Sequence, residues 1–310
     1  MKIASNFKAS PCAISLLLFP LALLSLTYLI PNPIYYPLAS ASASASRSPS
    51  SAGSLHGRDI SKPPEFRLLI AVMTMPDKYE RRHLMRYAYS LQRSTTTAHI
   101  DIRFVFCNLT TEEQMLYVSL EIIHHDDIII LNCTENLWDG KSYDFYSSLP
   151  AMLAGGGGHP PYDYVMKSDD DSYIRLDALA EALRGKPKED MYFGCGMPFH
   201  NKTYPPFMIG MGYVISWDLV EWIGKSEFVR NHSTGVEDIM LGMWLNVKNR
   251  GKNRYNNCRV MYHYKGRNPE DFEPGTILVH QLKELERWTR TLNHFNVTKG
   301  LKPSKLYHIP

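Results

Sequence analysis

From residue 67 onward, short apolar runs alternate with charged segments of helical spacing, and that rhythm excludes most architectures. Residues 67–74 (RLLIAVMT), 100–107 (IDIRFVFC), 128–131 (IIIL) and 164–167 (YVMK) read as strands. Residues 78–92, 112–123, 141–153 and 176–183 read as helices between or after them. The glycine run 155–158 reads as a loop that breaks the third helix. Strands separated by helices predict an α/β domain whose sheet is mostly parallel and covered on both faces. In such sheets ligands bind beyond the carboxyl ends of the strands, so the residues just after each apolar run are the candidates for chemistry.

The N-terminus carries a different signal. Residues 13–30 (AISLLLFPLALLSLTYLI) hold no charge, Lys2 and Lys8 precede them, and the next charge is Arg47. A run of this length is at the short end of what spans a bilayer. With its positive residues before it, it predicts a type II signal-anchor that leaves the bulk of the chain in the lumen. A signal peptide cleaved near Ala39-Ser40-Ala41 is the competing reading. Either route leads into the secretory pathway. The predicted organisation is a cytoplasmic tail over 1–12, a transmembrane anchor over 13–30, a flexible Ser- and Ala-rich stem over 31–63, and a lumenal folded domain over 64–310. Five sequons agree with that compartment, at Asn108, Asn132, Asn201, Asn231 and Asn296. Cys107, Cys133, Cys195 and Cys258 lie beyond the apolar run, where an oxidising lumen permits one or two disulfides. Lys plus Arg numbers 34 and Asp plus Glu 31, a net charge of +3, and no basic stripe stands out, so nucleic acid is not an expected partner.

The strongest chemical signal is Lys167-Ser168-Asp169-Asp170-Asp171, an apolar strand running straight into three carboxylates. Adjacent like charges repel, and a hard divalent cation such as Mn²⁺ or Mg²⁺ would relieve them. An acidic turn capping the next helix is the bland alternative. Glu237 and Asp238 open a second segment whose apolar positions 236, 239, 240, 243 and 244 have helical spacing. There they serve either as first-turn acids or as a carboxylate base. Gly210 and Gly212 precede the apolar run that begins at Tyr213, which suggests a turn or a close backbone approach to a sugar. His280 closes the short strand Ile277-Leu278-Val279 and becomes a metal ligand if that strand ends beside Asp171.

In this order the motifs resemble the β-1,3-galactosyltransferase family, glycosyltransferase family 31. Lys167–Asp171 resembles its Lys-Thr-Asp-Asp-Asp, Tyr204-Pro205-Pro206 with Gly210–Ser216 resembles its Tyr-Pro-Pro and Gly-x-Gly-Tyr-Val-Leu-Ser, and Glu237-Asp238 with Gly242 resembles its Glu-Asp-Val-x-x-Gly. The resemblance implies a GT-A type nucleotide-diphospho-sugar transferase fold, with a mixed, mostly parallel sheet flanked by helices behind a membrane anchor. It implies a Golgi membrane enzyme that inverts the anomeric centre while moving a hexose, galactose first, from a UDP-sugar to a glycan, glycoprotein or glycolipid hydroxyl in β-1,3 linkage. It implies Mn²⁺, with Mg²⁺ as the alternative, held by Asp171 and His280. Asp238 is the implied base, with Arg81, Arg86, Lys141, Asp169 and Asp170 toward the donor and Gly210, Gly212, Tyr213 and Glu237 toward the acceptor. The chain departs from the pattern at Ala88-Tyr89, where Thr-Trp is usual, and at Asn136–Tyr143, which matches loosely. A non-catalytic lumenal glycan-binding relative of the same fold is the alternative function.

Overall fold

The computed structural model describes residues 63–297 apart from 93–94, 137, 154–158, 202–203 and 266–271. The tail, the apolar run and nearly all of the stem therefore lie outside the described residues, as does the glycine loop 155–158. Among the described residues no helix is long and apolar enough to cross a membrane.

The apolar runs form the strands expected of them. β1 (Phe66–Met73), β2 (Ala98–Phe106), β3 (Ile128–Ile130) and β4 (Tyr164–Asp169) make a parallel block in the order β3-β2-β1-β4. β5 is the two-residue strand Tyr173–Ile174. β6 (Met191–Met197), β7 (Phe207–Ser216) and β8 (Asn253–Asn256) continue the sheet beyond β4. β7 runs antiparallel to both β4 and β6, while β8 is parallel to β6. A mixed, mostly parallel seven-stranded sheet results. β9 (Met261–His263) and β10 (Leu278–His280) pair in parallel, and β10 joins β5 to complete a small second sheet.

The helices cover both faces. On one side α1 (Tyr79–Ser90) and α4 (Leu176–Leu183) pack, with the small sheet, against Leu68, Ile70 and Val72 of β1. On the other, α3 (Lys141–Met152) and α5 (Trp217–Lys225) pack against Leu69, Ala71 and Val165. Each buried Leu, Ile or Val side chain among these contributes about 1.5–3 kcal/mol. α2 (Glu112–His125) is capped by Thr111, whose side chain accepts from the Gln114 N–H. The short α6 (Glu227–Arg230) leads toward α7 (Glu237–Val247), and α8 (Leu285–His294) follows β10.

One expectation needs correcting. Gly210 and Gly212 do not precede a strand but lie inside β7. A Cβ on Gly212 would stand 2.5 Å from Leu278 Cδ1, so this glycine lets the small sheet close on the large one. The two disulfides are Cys107–Cys133, which joins the ends of β2 and β3, and Cys195–Cys258, which ties β6 to the segment after β8.

Candidate active site

The parallel register places Met73 of β1 opposite Asp169 of β4, so the carboxyl ends of the central strands finish together. Beyond them lies a cavity of about 600 Å³, walled by Thr74, Met75 and Lys78 after β1, by Glu135, Asn136, Trp138 and Lys141, and by the three acids with His280. β10 delivers His280 to this point because Val279 pairs with Tyr173, just past the acids. His280 Nε2 stands 2.9 Å from Asp171 Oδ1 and 3.4 Å from Asp169 Oδ2. The three side chains offer ligand atoms within 4.8 Å of one another. Two carboxylates and an imidazole suit Mn²⁺ or Mg²⁺ better than a soft metal. The other ring nitrogen of His280 is 2.9 Å from Nδ1 of His263, its register partner on β9. A partner there holds the ring orientation, as ligand histidines usually require.

The acids have separate partners. Asp170 accepts from the Thr74 hydroxyl at 2.7 Å, and burial nevertheless raises its pKa. Burial acts upward on Asp171 too, but His280, Lys283 and Arg81 outweigh it and the net shift is downward. Asp169 is shared with Lys167, whose buried ammonium donates to Asp169 Oδ1 and Glu237 Oε2 at 2.8 Å each and to the Gly210 carbonyl at 2.7 Å. Burial alone would lower the Lys167 pKa, yet the charges and hydrogen bonds of Asp169 and Glu237 prevail and raise it.

Lys167 thereby links the metal-type cluster to the first turn of α7. Glu237 is buried between Lys167 and the Tyr213 hydroxyl, and its burial raises its pKa. Asp238 has a different setting. Its Oδ2 accepts from the Gly210 N–H at 2.9 Å, its Oδ1 accepts from the Ile239 N–H at 2.8 Å, and its side chain is half-buried. Gly210 is tightly packed between these groups, since a Cβ would meet Glu237 Oε2 at 3.0 Å and Lys167 Nζ at 3.3 Å.

Lys141 lines the cavity with its ammonium on the Thr74 carbonyl (2.8 Å) and Glu135 (2.8 and 3.0 Å), and burial lowers its pKa. Arg81 holds the backbone carbonyls of Leu282 and Lys283, bracing the segment after His280. Arg86 is not among the cavity residues: it is spent on Asp127 and Glu121 at 2.7–2.8 Å. Gly212 and Tyr213 are fully buried and offer no surface to an acceptor. Asn108, Asn132, Asn231 and Asn296 are exposed and Asn201 is half-buried, with Asn108 donating to Asn132 at 3.0 Å.

The sequence named neither Thr74, His263, Glu135 nor Trp138 as site residues, and it gave Lys167 no role. Thr74 and Lys167 each end an apolar run, which was the available signal; the others depend on contacts across the fold.

The galactosyltransferase family pattern matches residues 80–201 and 191–249, a span that runs from α1 to the end of α7 and covers more than half of the chain. The chain belongs to the galactosyltransferase family. This galactosyltransferase-family chain is similar over 226 residues to mouse beta-1,3-galactosyltransferase 6, with 28% identity, covering 66% of each protein. It is 23% identical over 204 residues to hydroxyproline O-galactosyltransferase GALT6 of Arabidopsis thaliana, covering 59% of this chain and 29% of the relative. It is 26% identical over 159 residues to mouse UDP-GalNAc:beta-1,3-N-acetylgalactosaminyltransferase 2, covering 44% and 29%. The matched stretch thus spans less than a third of two of these relatives.

Proposed function

We propose that this chain is an inverting hexosyltransferase that moves a hexose, galactose first, from a UDP-sugar to a glycan hydroxyl in β-1,3 linkage. The observation that carries this reading is the convergence of Asp169, Asp171 and His280 on the cavity, with Lys167 connecting Asp169 to the acids that open α7. Asp169, Asp171 and His280 are the residues that would hold a divalent cation, Mn²⁺ or Mg²⁺. When bound, that ion supplies positive charge that offsets the diphosphate.

Of the two acids on α7, Glu237 is committed to Lys167 and Tyr213, which leaves Asp238 as the proton acceptor. The Gly210 and Ile239 N–H groups orient its carboxylate. Asp238 accepts the proton of the acceptor hydroxyl as that oxygen bonds to the anomeric carbon, and the bond from carbon to diphosphate oxygen breaks with its electrons leaving on UDP. Lys167 keeps Asp169 and Glu237 in place throughout. The lumenal orientation is read from the charge asymmetry around residues 13–30, the Golgi membrane is what the family resemblance implies, and both belong to the same proposal.

The test is UDP release by the purified full-length chain from a panel of UDP-sugars, with and without Mn²⁺, over mixed glycan acceptors. Acceptor-stimulated, metal-dependent release from one donor supports the reading. Asp238→Asn is expected to lower turnover about 10²–10⁴-fold with donor binding intact. Glycan binding by a folded protein that binds no UDP-sugar would establish the non-catalytic alternative instead.

A further inference from the structure

Trp138 is the large aromatic side chain on the cavity wall, and it is 65% exposed. Trp217, Trp244 and Trp288 are 5% exposed or less and Trp222 is half-buried, so Trp138 is the exposed tryptophan among the described residues. Its backbone is firmly held. The Trp138 N–H donates to Asn136 Oδ1 at 2.9 Å, and the Asp139 N–H donates to the Asn136 carbonyl at 3.1 Å. The Trp138 carbonyl accepts from the Gly235 N–H at 2.8 Å. Gly140, at φ 88°, then turns the chain into α3. Among the described residues the indole itself has no hydrogen bond and no ring contact.

This position is specific. Gly235 lies two residues before Glu237 and three before Asp238, while the same cavity wall carries Asp169 and Asp171. Trp138 therefore lines the cavity of the acids placed for a diphosphate and is tied through its backbone to the segment leading into the helix that carries the proposed base. On a nucleotide-sugar, the group that runs from the diphosphate toward the base is the sugar, and the nucleobase extends the other way. A pyranose presents one apolar face of axial C–H bonds, and a π-face is its natural complement.

We propose that Trp138 is a stacking platform for a pyranose ring at the junction of the acid cluster and α7. The ring is that of the donor hexose or of the acceptor sugar. The assignment rests on the transferase reading above.

The experiment compares wild type, Trp138→Phe and Trp138→Ala in the full-length chain. It measures UDP affinity with Mn²⁺, UDP-hexose affinity with Mn²⁺, and KM for the acceptor. Trp138→Ala is expected to weaken UDP-hexose binding or raise acceptor KM by about fivefold to tenfold, with UDP affinity unchanged, and Trp138→Phe is expected to restore most of the loss. A drop confined to UDP-hexose assigns the donor ring, and a rise confined to acceptor KM assigns the acceptor ring. Equal losses for UDP and UDP-hexose would mean nucleobase stacking and overturn the proposal, as would no change in any of the three. Sugar-dependent quenching of indole emission, present in wild type and absent from Trp138→Phe, reads the platform without turnover. Failure of the transferase reading shows as a wild type that transfers nothing, whereas failure of the platform shows as a working wild type matched by Trp138→Ala.

Discussion

Two charged clusters in this protein both set carboxylates against basic side chains, and they differ in balance. Arg82, Arg86, Glu121 and Asp127 form one, with two cations, two carboxylates and contacts of 2.6–2.9 Å. Arg82 is fully buried and donates further to the carbonyls of Met75 and Pro76. Every charge there has its partner inside the protein. The other cluster places Asp169, Asp170 and Asp171 in a row against Lys167, the Thr74 hydroxyl and the His280 imidazole, and it faces a cavity. Its anionic excess is left for something from outside. The balanced cluster joins α1 to α2, whereas the unbalanced one is a site. The run Arg81-Arg82-His83-Leu84-Met85-Arg86 belongs largely to the first, which is why Arg86 turns away from the donor role expected of it.

The contrast is broken most directly at Asp171. Asp171→Ala is expected to abolish metal-dependent UDP binding, a loss beyond the roughly 10–100-fold of an outer-shell change, while the domain stays folded. Calorimetric titration of UDP with and without Mn²⁺ measures it, and wild-type affinity would remove Asp171 from the metal set. The mirror experiment is Glu121→Ala, which leaves Arg82 buried without its carboxylate. It is expected to cost about 3–5 kcal/mol of stability in chemical denaturation, with UDP affinity per folded molecule unchanged. A binding defect in the folded fraction would show that the two clusters are not separate.

His263 sharpens the comparison further. His263→Phe is expected to weaken metal affinity by about 10–100-fold while leaving stability nearly unaltered, because the ring behind His280 orients a ligand. Equal metal affinity in the variant would reduce that contact to packing.

The smallest effect is a pH dependence. Burial pushes the Glu121 carboxyl upward, but Arg82 and Arg86 outweigh it and hold the net pKa below 4.5. A carboxylate with a depressed folded pKa contributes stability above its unfolded pKa, and that contribution disappears as pH falls through the folded value. The stability gap between wild type and Glu121→Gln should therefore be full at pH 7 and shrink below pH 4.5. Melting curves across that range check it, and a constant gap would mean that Glu121 acts by packing alone.

Much of the architecture was legible because it depends on near neighbours in sequence. The run 67–74 appears as Phe66–Met73, the helix 176–183 as Leu176–Leu183, and the acids of 169–171 sit at a strand end as an apolar run into carboxylates requires. The glycines of β7 were misplaced because the groups they approach, Glu237 for Gly210 and Leu278 for Gly212, lie far along the chain.

Local pattern therefore determined where strands end, which acids end them, and which residues begin α7, since hydrophobic periodicity acts over a few residues. Only the tertiary structure decided what each charge faces. Lys167 meets Glu237 70 residues away, Arg82 meets Glu121 39 away, and His280 meets Asp171 and His263 through strand pairing. A buried charge takes its role from its partner, and these partners are brought together by the packing of helices and strands and not by their spacing in the chain.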